Sequence, residues 1–151
     1  MEEPTRHNVS IGGRRLSCLD FGGQGQPLLA LHGHFGEGST FTRLARELGP
    51  DWRVIAPDQR GHGESERAED FSRDGYVSDA AAVLDHFGVT DTMVLGHSLG
   101  GVNAYQLATP SMRPTRRDSP PWSGTSSKTC DRTREFARRA ASARMNWPHE
   151  S

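Results

Sequence analysis

The segment from Gly96 to Gly101, Gly-His-Ser-Leu-Gly-Gly, constrains the fold of this 151-residue chain more than any other. It follows the apolar run 92–95 and precedes a segment that can be helical. Glycine lacks a Cβ atom, so the glycines around the serine allow a sharp turn from a strand into a helix. Unpaired backbone N–H groups at a helix N-terminus favour negative charge. The pattern therefore predicts that Ser98 projects from a tight corner between a strand and a helix.

The residues up to Ala108 alternate between predicted strands and predicted helices. A Gly-Gly turn at 12–13 predicts a hairpin, and short apolar runs at 27–31, 52–56 and 92–95 predict buried strands. Apolar residues at helical spacing predict helices marked by Phe41, Leu44, Ala45 and Leu48, by Val77, Ala80, Ala81, Leu84 and Phe87, and by the segment from Val102 to Ala108. This alternation predicts an α/β fold, with a mostly parallel sheet and helices on both faces.

The composition changes after Ala108. Residues 1–108 carry nine arginines against fifteen acidic residues, whereas residues 109–151 carry nine basic residues against four acidic ones. Because residues 109–151 are rich in proline and poor in apolar periodicity, we expect a disordered basic tail or an out-of-frame translation. The out-of-frame alternative has one support in the genetic code. When the codons of residues 117–123 are read from their third base, they can encode Arg-Leu-Ala-Ala-Leu-Val, a sequence typical of a strand. The charges are scattered, so we expect no nucleic-acid partner.

Cysteine usage and hydropathy bear on the compartment. Cys18 and Cys130 are too few and too far apart to suggest a disulfide framework. The N-terminus is acidic and lacks the apolar core of a secretory signal, and no apolar stretch reaches the ~20 residues of a membrane span. We therefore expect a cytoplasmic protein without a membrane partner.

Three motifs follow predicted strands in a fixed order: His-Gly-His-Phe-Gly at 32–36, Asp-Gln-Arg-Gly-His-Gly-Glu-Ser at 58–65, and the turn at Ser98. Together they resemble the N-terminal half of the α/β-hydrolase fold family, in its esterase, lipase and carbon–carbon hydrolase branch. The resemblance covers roughly residues 9–108. It implies a partial α/β-hydrolase fold, with residues 1–108 forming half of such a domain and residues 109–151 lying outside the family pattern.

The resemblance implies a catalytic role for Ser98 as a nucleophile that attacks a small-molecule acyl substrate. The oxyanion hole would consist of the backbone N–H groups of Leu99 and His34, with Phe35 as the alternative to His34. In this family, strand–helix turns (nucleophile elbows) that carry aspartate in place of the serine belong to the dehalogenase and epoxide-hydrolase branches. The serine therefore argues against those reactions.

The remaining polar residues of the three motifs are expected to support the loops. Asp58 and Arg60 would fix the loop after their strand, His32 and His62 would brace the site, and the His97 side chain would point away from it. No cofactor is expected. No metal is expected either, because no cysteine or acidic residue completes a ligand set beside the histidines.

Family members supply an acid and then a histidine after the serine, in that order. Here the acids that follow Ser98 are Asp118, Asp131, Glu135 and Glu150, and the one histidine is His149, which no strand precedes. We therefore expect a truncated or frameshifted hydrolase that is weakly active or inactive. Two alternatives stay open: a non-catalytic binding module that retains the half-fold, and a partner chain that completes the sheet.

Overall fold

A five-stranded mixed sheet forms the centre of the computed structural model, which describes residues 3–109. The strands are β1 (Thr5–Ile11), β2 (Arg14–Asp20), β3 (Gln26–Leu31), β4 (Trp52–Pro57) and β5 (Met93–Gly96). Their spatial order is β1-β2-β4-β3-β5, and β2 runs antiparallel to both of its neighbours while the other pairs are parallel. The predicted tail lies outside the described residues.

The β1–β2 hairpin forms where the sequence predicts it. Ile11 pairs with Arg14 across a two-residue turn, in which Gly12 and Gly13 have φ values of 58° and 81°. Positive φ at both central positions defines the hairpin turn whose twist matches that of the flanking strands, and glycine adopts it without a steric penalty.

Helices cover both faces of the sheet, as predicted. They are α1 (Thr42–Leu48), which follows a short 3-10 turn at Gly38–Phe41, α2 (Arg73–His86) and α3 (Leu99–Ala108). Successive residues of a strand point to opposite faces. Leu29 and Leu31 of β3 accordingly pack in the core cluster of α2 and α3, whereas Leu28 and Ala30 pack in the cluster of α1.

Helix α3 begins at Leu99, three residues before the predicted start at Val102. The pair Gly100-Gly101 has low helix propensity, and this hides the first turn from a reading of the sequence. Packing requires the small residue, because a Cβ atom on Gly100 would lie 2.0 Å from the carbonyl oxygen of Leu31. Tertiary contact therefore outweighs local propensity at this position.

The carboxyl ends of β3, β4 and β5 lie at one edge of the sheet, because these strands run in the same direction. Each of the three motifs follows one of these strands, so the fold brings all three to the same edge. Open α/β sheets bind their ligands at this edge. None of the helices within residues 3–109 is long and apolar enough to cross a bilayer.

The outer edge of β5 has no strand partner within residues 3–109. Met93 and Leu95 of this strand are 50% and 39% exposed, and Val102 and Tyr105 of α3 are also exposed. Apolar residues are therefore open to solvent on the last strand and on the helix that follows it.

Candidate active site

Ser98 occupies a strained backbone position at the corner between β5 and α3. Its φ of 54° and ψ of −117° make it the one non-glycine residue with positive φ in the described part of the chain. Such a conformation costs about 1–3 kcal/mol and persists only where the surroundings impose it. The hydroxyl does not cap α3 and the residue is exposed, so the corner presents this oxygen to the outside.

Backbone hydrogen bonds fix the corner. The His97 N–H donates to the carbonyl oxygen of Leu31 at 3.0 Å, which ties the turn to the end of β3. The Gly100 and Gly101 N–H groups donate to the carbonyl oxygens of His97 and Ser98 at 3.0 and 2.9 Å. The strain at Ser98 is therefore sustained by hydrogen bonds on both sides of the corner, which is the condition that such strain needs.

Several backbone N–H groups near Ser98 make no hydrogen bond within residues 3–109. They include those of Leu99, the first residue of α3, and of His34 and Phe35 in the loop after β3. The loop rests on the corner, because a Cβ atom on Gly33 would lie 3.3 Å from the Ser98 Cβ atom. The structure thus brings the Ser98 corner and the start of the His34 loop together.

His97 differs from the expectation that its side chain points away. A Cβ atom on Gly33 would lie 2.7 Å from the His97 Nδ1 atom, so the ring packs against the loop after β3. The ring therefore covers the base of this loop, and glycine at position 33 makes room for it.

His32 is fully buried and sets the orientation of the loop. Its Nδ1 atom donates to the Gly33 carbonyl oxygen at 2.7 Å, and its Nε2 atom accepts from the Gln59 backbone N–H at 2.9 Å. Burial lowers the pKa of His32, and the hydrogen bond that Nε2 accepts from the Gln59 N–H places the ring proton on Nδ1. Because a trans peptide is planar, holding the Gly33 carbonyl aims the His34 N–H to the opposite side.

His62 joins the loops that follow β3 and β4. Its Nδ1 atom lies 3.0 Å from the Arg60 carbonyl oxygen, and its Nε2 atom lies within hydrogen-bond distance of the His34 carbonyl oxygen. Its ring also makes edge contacts with the rings of His32 and His34. Among residues 3–109, no three histidine, cysteine or acidic side chains are arranged to hold a metal ion. The His62 ring therefore links the loop after β3 to the loop after β4.

Asp58 organises the loop after β4. Its carboxylate accepts hydrogen bonds from the Gly38 N–H at 2.6 Å, from the Glu64 N–H at 3.1 Å and from the Arg6 guanidinium at 3.0 Å. The Ser65 hydroxyl donates to the Asp58 carbonyl oxygen. Through these hydrogen bonds the buried Asp58 side chain holds three chain segments in place.

Sequence reasoning missed two buried polar residues beneath the site, Gln59 and Asn103, which are 5% and 1% exposed. Gln59 lies between Asp58 and Arg60 in the second motif, and nothing in the sequence distinguishes it. Asn103 falls on the core-facing side of α3, where an apolar residue is usual. A polar residue at a predicted core position is the signal that could have singled out Asn103.

The chain belongs to the alpha/beta hydrolase fold family. The sequence model of that family matches residues 26–111, which include all three motifs. This match, together with the mixed sheet and the placement of its helices, confirms both the resemblance and the fold class predicted from the sequence.

Several relatives share this half of the fold. Lipase LipV of Mycobacterium tuberculosis is 42% identical over 81 residues, covering 54% of this chain and 31% of the lipase. The soluble epoxide hydrolase of a Corynebacterium species is 33% identical over 107 residues, covering 70% of this chain and 37% of that enzyme. The chain therefore spans about a third of the length of these relatives.

Solved structures agree with the same fold. An alpha/beta hydrolase from Novosphingobium aromaticivorans superposes with a TM-score of 0.67 at 32% identity, covering 74% of this chain and 41% of that one. An epoxide hydrolase mutant from Vigna radiata superposes with a TM-score of 0.66 at 26% identity, covering 72% and 35%.

Proposed function

We propose that Ser98 is the nucleophile of a serine hydrolase that acts on an ester, a thioester or a similar acyl carbon. One observation carries the proposal: a strained, uncapped and exposed serine stands at a strand–helix corner. Strain of this kind clusters at functional sites. The similarity to a lipase over this half of the chain supports the same reaction class.

In the proposed reaction the Ser98 Oγ atom forms a bond to the acyl carbon and loses its proton to a base. The carbonyl π electrons move to the oxygen, and the N–H groups of Leu99 and His34 stabilise the resulting negative charge. When the intermediate collapses, the bond to the leaving oxygen or sulfur breaks, and the leaving group takes the proton back from the base to depart as an alcohol or thiol. Water then attacks the acyl-serine, which releases the carboxylic acid and restores the Ser98 hydroxyl. Each oxyanion donor of this kind contributes about 10²–10³ in rate.

The proposed reaction needs a base that accepts the Ser98 proton. Within residues 3–109, His32 is committed to Gly33 and Gln59, and His62 faces two backbone carbonyls. We therefore propose slow acylation, because loss of one member of a serine triad can lower kcat by about 10⁶.

Similarity to epoxide hydrolases does not favour epoxide opening here. That reaction, in the branch with an aspartate elbow, begins with a carboxylate, and position 98 carries a hydroxyl. A hydroxyl nucleophile suits acyl transfer, in which the oxyanion donors also have a role. Acyl substrates are thus the proposed class.

The test compares the whole chain with Ser98→Ala and with Ser10→Ala, which removes an exposed hydroxyl from β1. We expect p-nitrophenyl acetate to acetylate Ser98 slowly in the parent and in Ser10→Ala, with the mass increase located on the peptide that contains residue 98. Equal hydrolysis by the parent and Ser98→Ala, with no acetylated peptide, would contradict the proposal and leave the binding-module alternative.

We also propose a cytoplasmic location. Cys18 is a free thiol within the described residues, and burial raises the pKa of this group. A buried thiol without a disulfide partner is compatible with a reducing compartment. Cell fractionation of the tagged chain tests this location.

A further inference from the structure

We propose that the buried pair Gln59–Asn103 is a positioning device that couples the loop carrying one oxyanion donor to the helix carrying the other. The inference rests on the proposed function, because it assigns a role to residues that do not contact substrate. It concerns side chains outside the serine turn and outside the loop after β3.

The pair forms a continuous hydrogen-bonded path through the core. The Asn103 Nδ2 atom donates to the Gln59 Oε1 atom at 2.8 Å, and the Gln59 Nε2 atom donates to the His32 carbonyl oxygen at 2.6 Å. The Gln59 backbone N–H also donates to the His32 Nε2 atom. His32 in turn holds the Gly33 carbonyl oxygen. The path therefore runs from α3 to the peptide whose N–H belongs to His34.

Stabilisation of the fold does not by itself explain the Gln59–Asn103 pair. The Asn103 Oδ1 atom is buried without a partner within residues 3–109. An unsatisfied buried acceptor is unfavourable, and replacing both partners of a buried hydrogen bond by apolar groups of similar shape can be neutral or stabilising. An apolar residue at position 103 would suit the core face of α3, as Leu107 does one turn later.

The loop after β4 does not need the Gln59 side chain for its own shape. Asp58 holds that loop through the N–H groups of Gly38 and Glu64. Arg60 anchors it to α2 through Asp79. The Gln59 amide is thus left to serve His32 and Asn103.

A coupling of this kind has a clear use. The donors at Leu99 and His34 belong to different elements, a helix and a loop, and must converge on one oxygen atom. Catalytic groups need to be held within about 0.5 Å of their productive geometry by supporting residues. A buried chain of hydrogen bonds from α3 to the loop fixes the separation of the two N–H donors from the core side, and the exposed side of the Ser98 corner is left free for substrate.

The experiment uses the full chain with Gln59→Met, Asn103→Leu, the double variant and a matched control, Gln106→Leu. Gln106 lies on the same helix, and its buried Oε1 atom also lacks a partner within residues 3–109. The readouts are kcat and KM for Ser98-dependent acylation, hydrogen exchange of the Gly36 amide, which donates to the Gly33 carbonyl oxygen, and the urea midpoint.

We expect each single variant and the double variant to lower kcat by about tenfold or more with little change in KM. The losses should not multiply, because both residues act through one path. Exchange of the Gly36 amide should accelerate, and Gln106→Leu should resemble the parent. The urea midpoint of the double variant should fall no further than that of Gln59→Met, because Gln59→Met already leaves the His32 carbonyl oxygen and the Asn103 amide without their partner.

Two failures are distinguishable. If the parent shows no Ser98-dependent acylation, the proposed function fails, and exchange at Gly36 still tests the coupling. If the double variant leaves Gly36 exchange and kcat unchanged, or if kcat in the three variants falls only in proportion to their urea midpoints, the coupling is wrong whatever Ser98 does.

Discussion

At the scale of single residues, the Ser98 corner has backbone strain and close packing that lower the stability of the fold but fix the position of the serine hydroxyl. The serine occupies a backbone region that glycine tolerates far better, and Gly33 and Gly100 stand where the chain leaves no space for a Cβ atom. The positive φ and the lack of space for a Cβ atom restrict which residues can fold at these positions. They also fix where the Ser98 hydroxyl oxygen lies.

The backbone strain predicts an unusual ranking of variants. The free energy of unfolding of Ser98→Gly, measured by urea titration, should exceed that of Ser98→Ala by about 1 kcal/mol, since glycine relieves a strain of about 1–3 kcal/mol while adding some unfolded-state entropy. Neither variant should be acetylated. Equal stability of the two variants would show that the corner is not strained, even if Ser98 proves to be the nucleophile.

The sequence predicts these residues unevenly. Ser98, His34 and Leu99 could be nominated because each belongs to a short contiguous motif with a known backbone context. Gln59 and Asn103 could not be paired in advance, because they are 44 positions apart and meet only where the loop after β4 reaches α3. Long-range polar contacts leave no periodic signal in a single sequence.

At the scale of elements, a buried ionic group attaches the loop after β4 to α2. The Asp79 carboxylate receives Nε and Nη2 of Arg60 at 2.8 and 2.9 Å, and Nη2 of Arg14 at 2.9 Å. Arg60 also donates to the carbonyl oxygens of Asp70 and Gly75. Helix α2 therefore holds the loop of the second motif as well as covering the sheet.

Asp79→Asn should lower the free energy of unfolding by about 3 kcal/mol, because removing one partner leaves buried guanidinium charge uncompensated. The matched control is Asp20→Asn, which weakens the more exposed pair of Asp20 with Arg53 and should lose about 1 kcal/mol or less. Urea unfolding of both variants at neutral pH measures the difference. Similar losses in the two variants would indicate that the Asp79 group is no more important than a surface ion pair.

At the scale of the whole molecule, the strand order leaves β5 at the margin of the described sheet. Its sequence, Met-Val-Leu-Gly, contains no charge and no proline, which are the usual protections of an exposed strand. Met93 and Leu95 are open to solvent on the face that carries α1. The described half-fold thus presents an apolar edge that can accept another strand.

We expect the purified chain to associate with increasing concentration, with β5 of a second copy adding to this edge. Leu95→Lys should reduce the association, because it places a charge on the strand and shrinks the apolar surface. His86→Lys, on the exposed side of α2, provides the control, and light scattering after size-exclusion chromatography gives the mass. A concentration-independent monomer in the parent would refute the expectation.

The fold itself was the most predictable feature. Five strands and three helices fall within a few residues of their predicted positions, because apolar runs, helical spacing and glycine turns agree along residues 9–108. The exception is the start of α3, where a glycine pair suited to close packing lowers the local helix signal. Local patterns therefore define the elements, and tertiary packing determines where α3 begins.

The spatial order of the strands also bears on how the chain acquires this fold during synthesis. Because β4 inserts between β2 and β3, the hairpin at the N-terminus and the third strand cannot join one sheet until residue 57 has left the ribosome. The serine corner is then added last, on the outer side of β3. A nascent chain can therefore pair β1 to β4 before the Ser98 corner is made, so the most strained residue joins strands that are already in place.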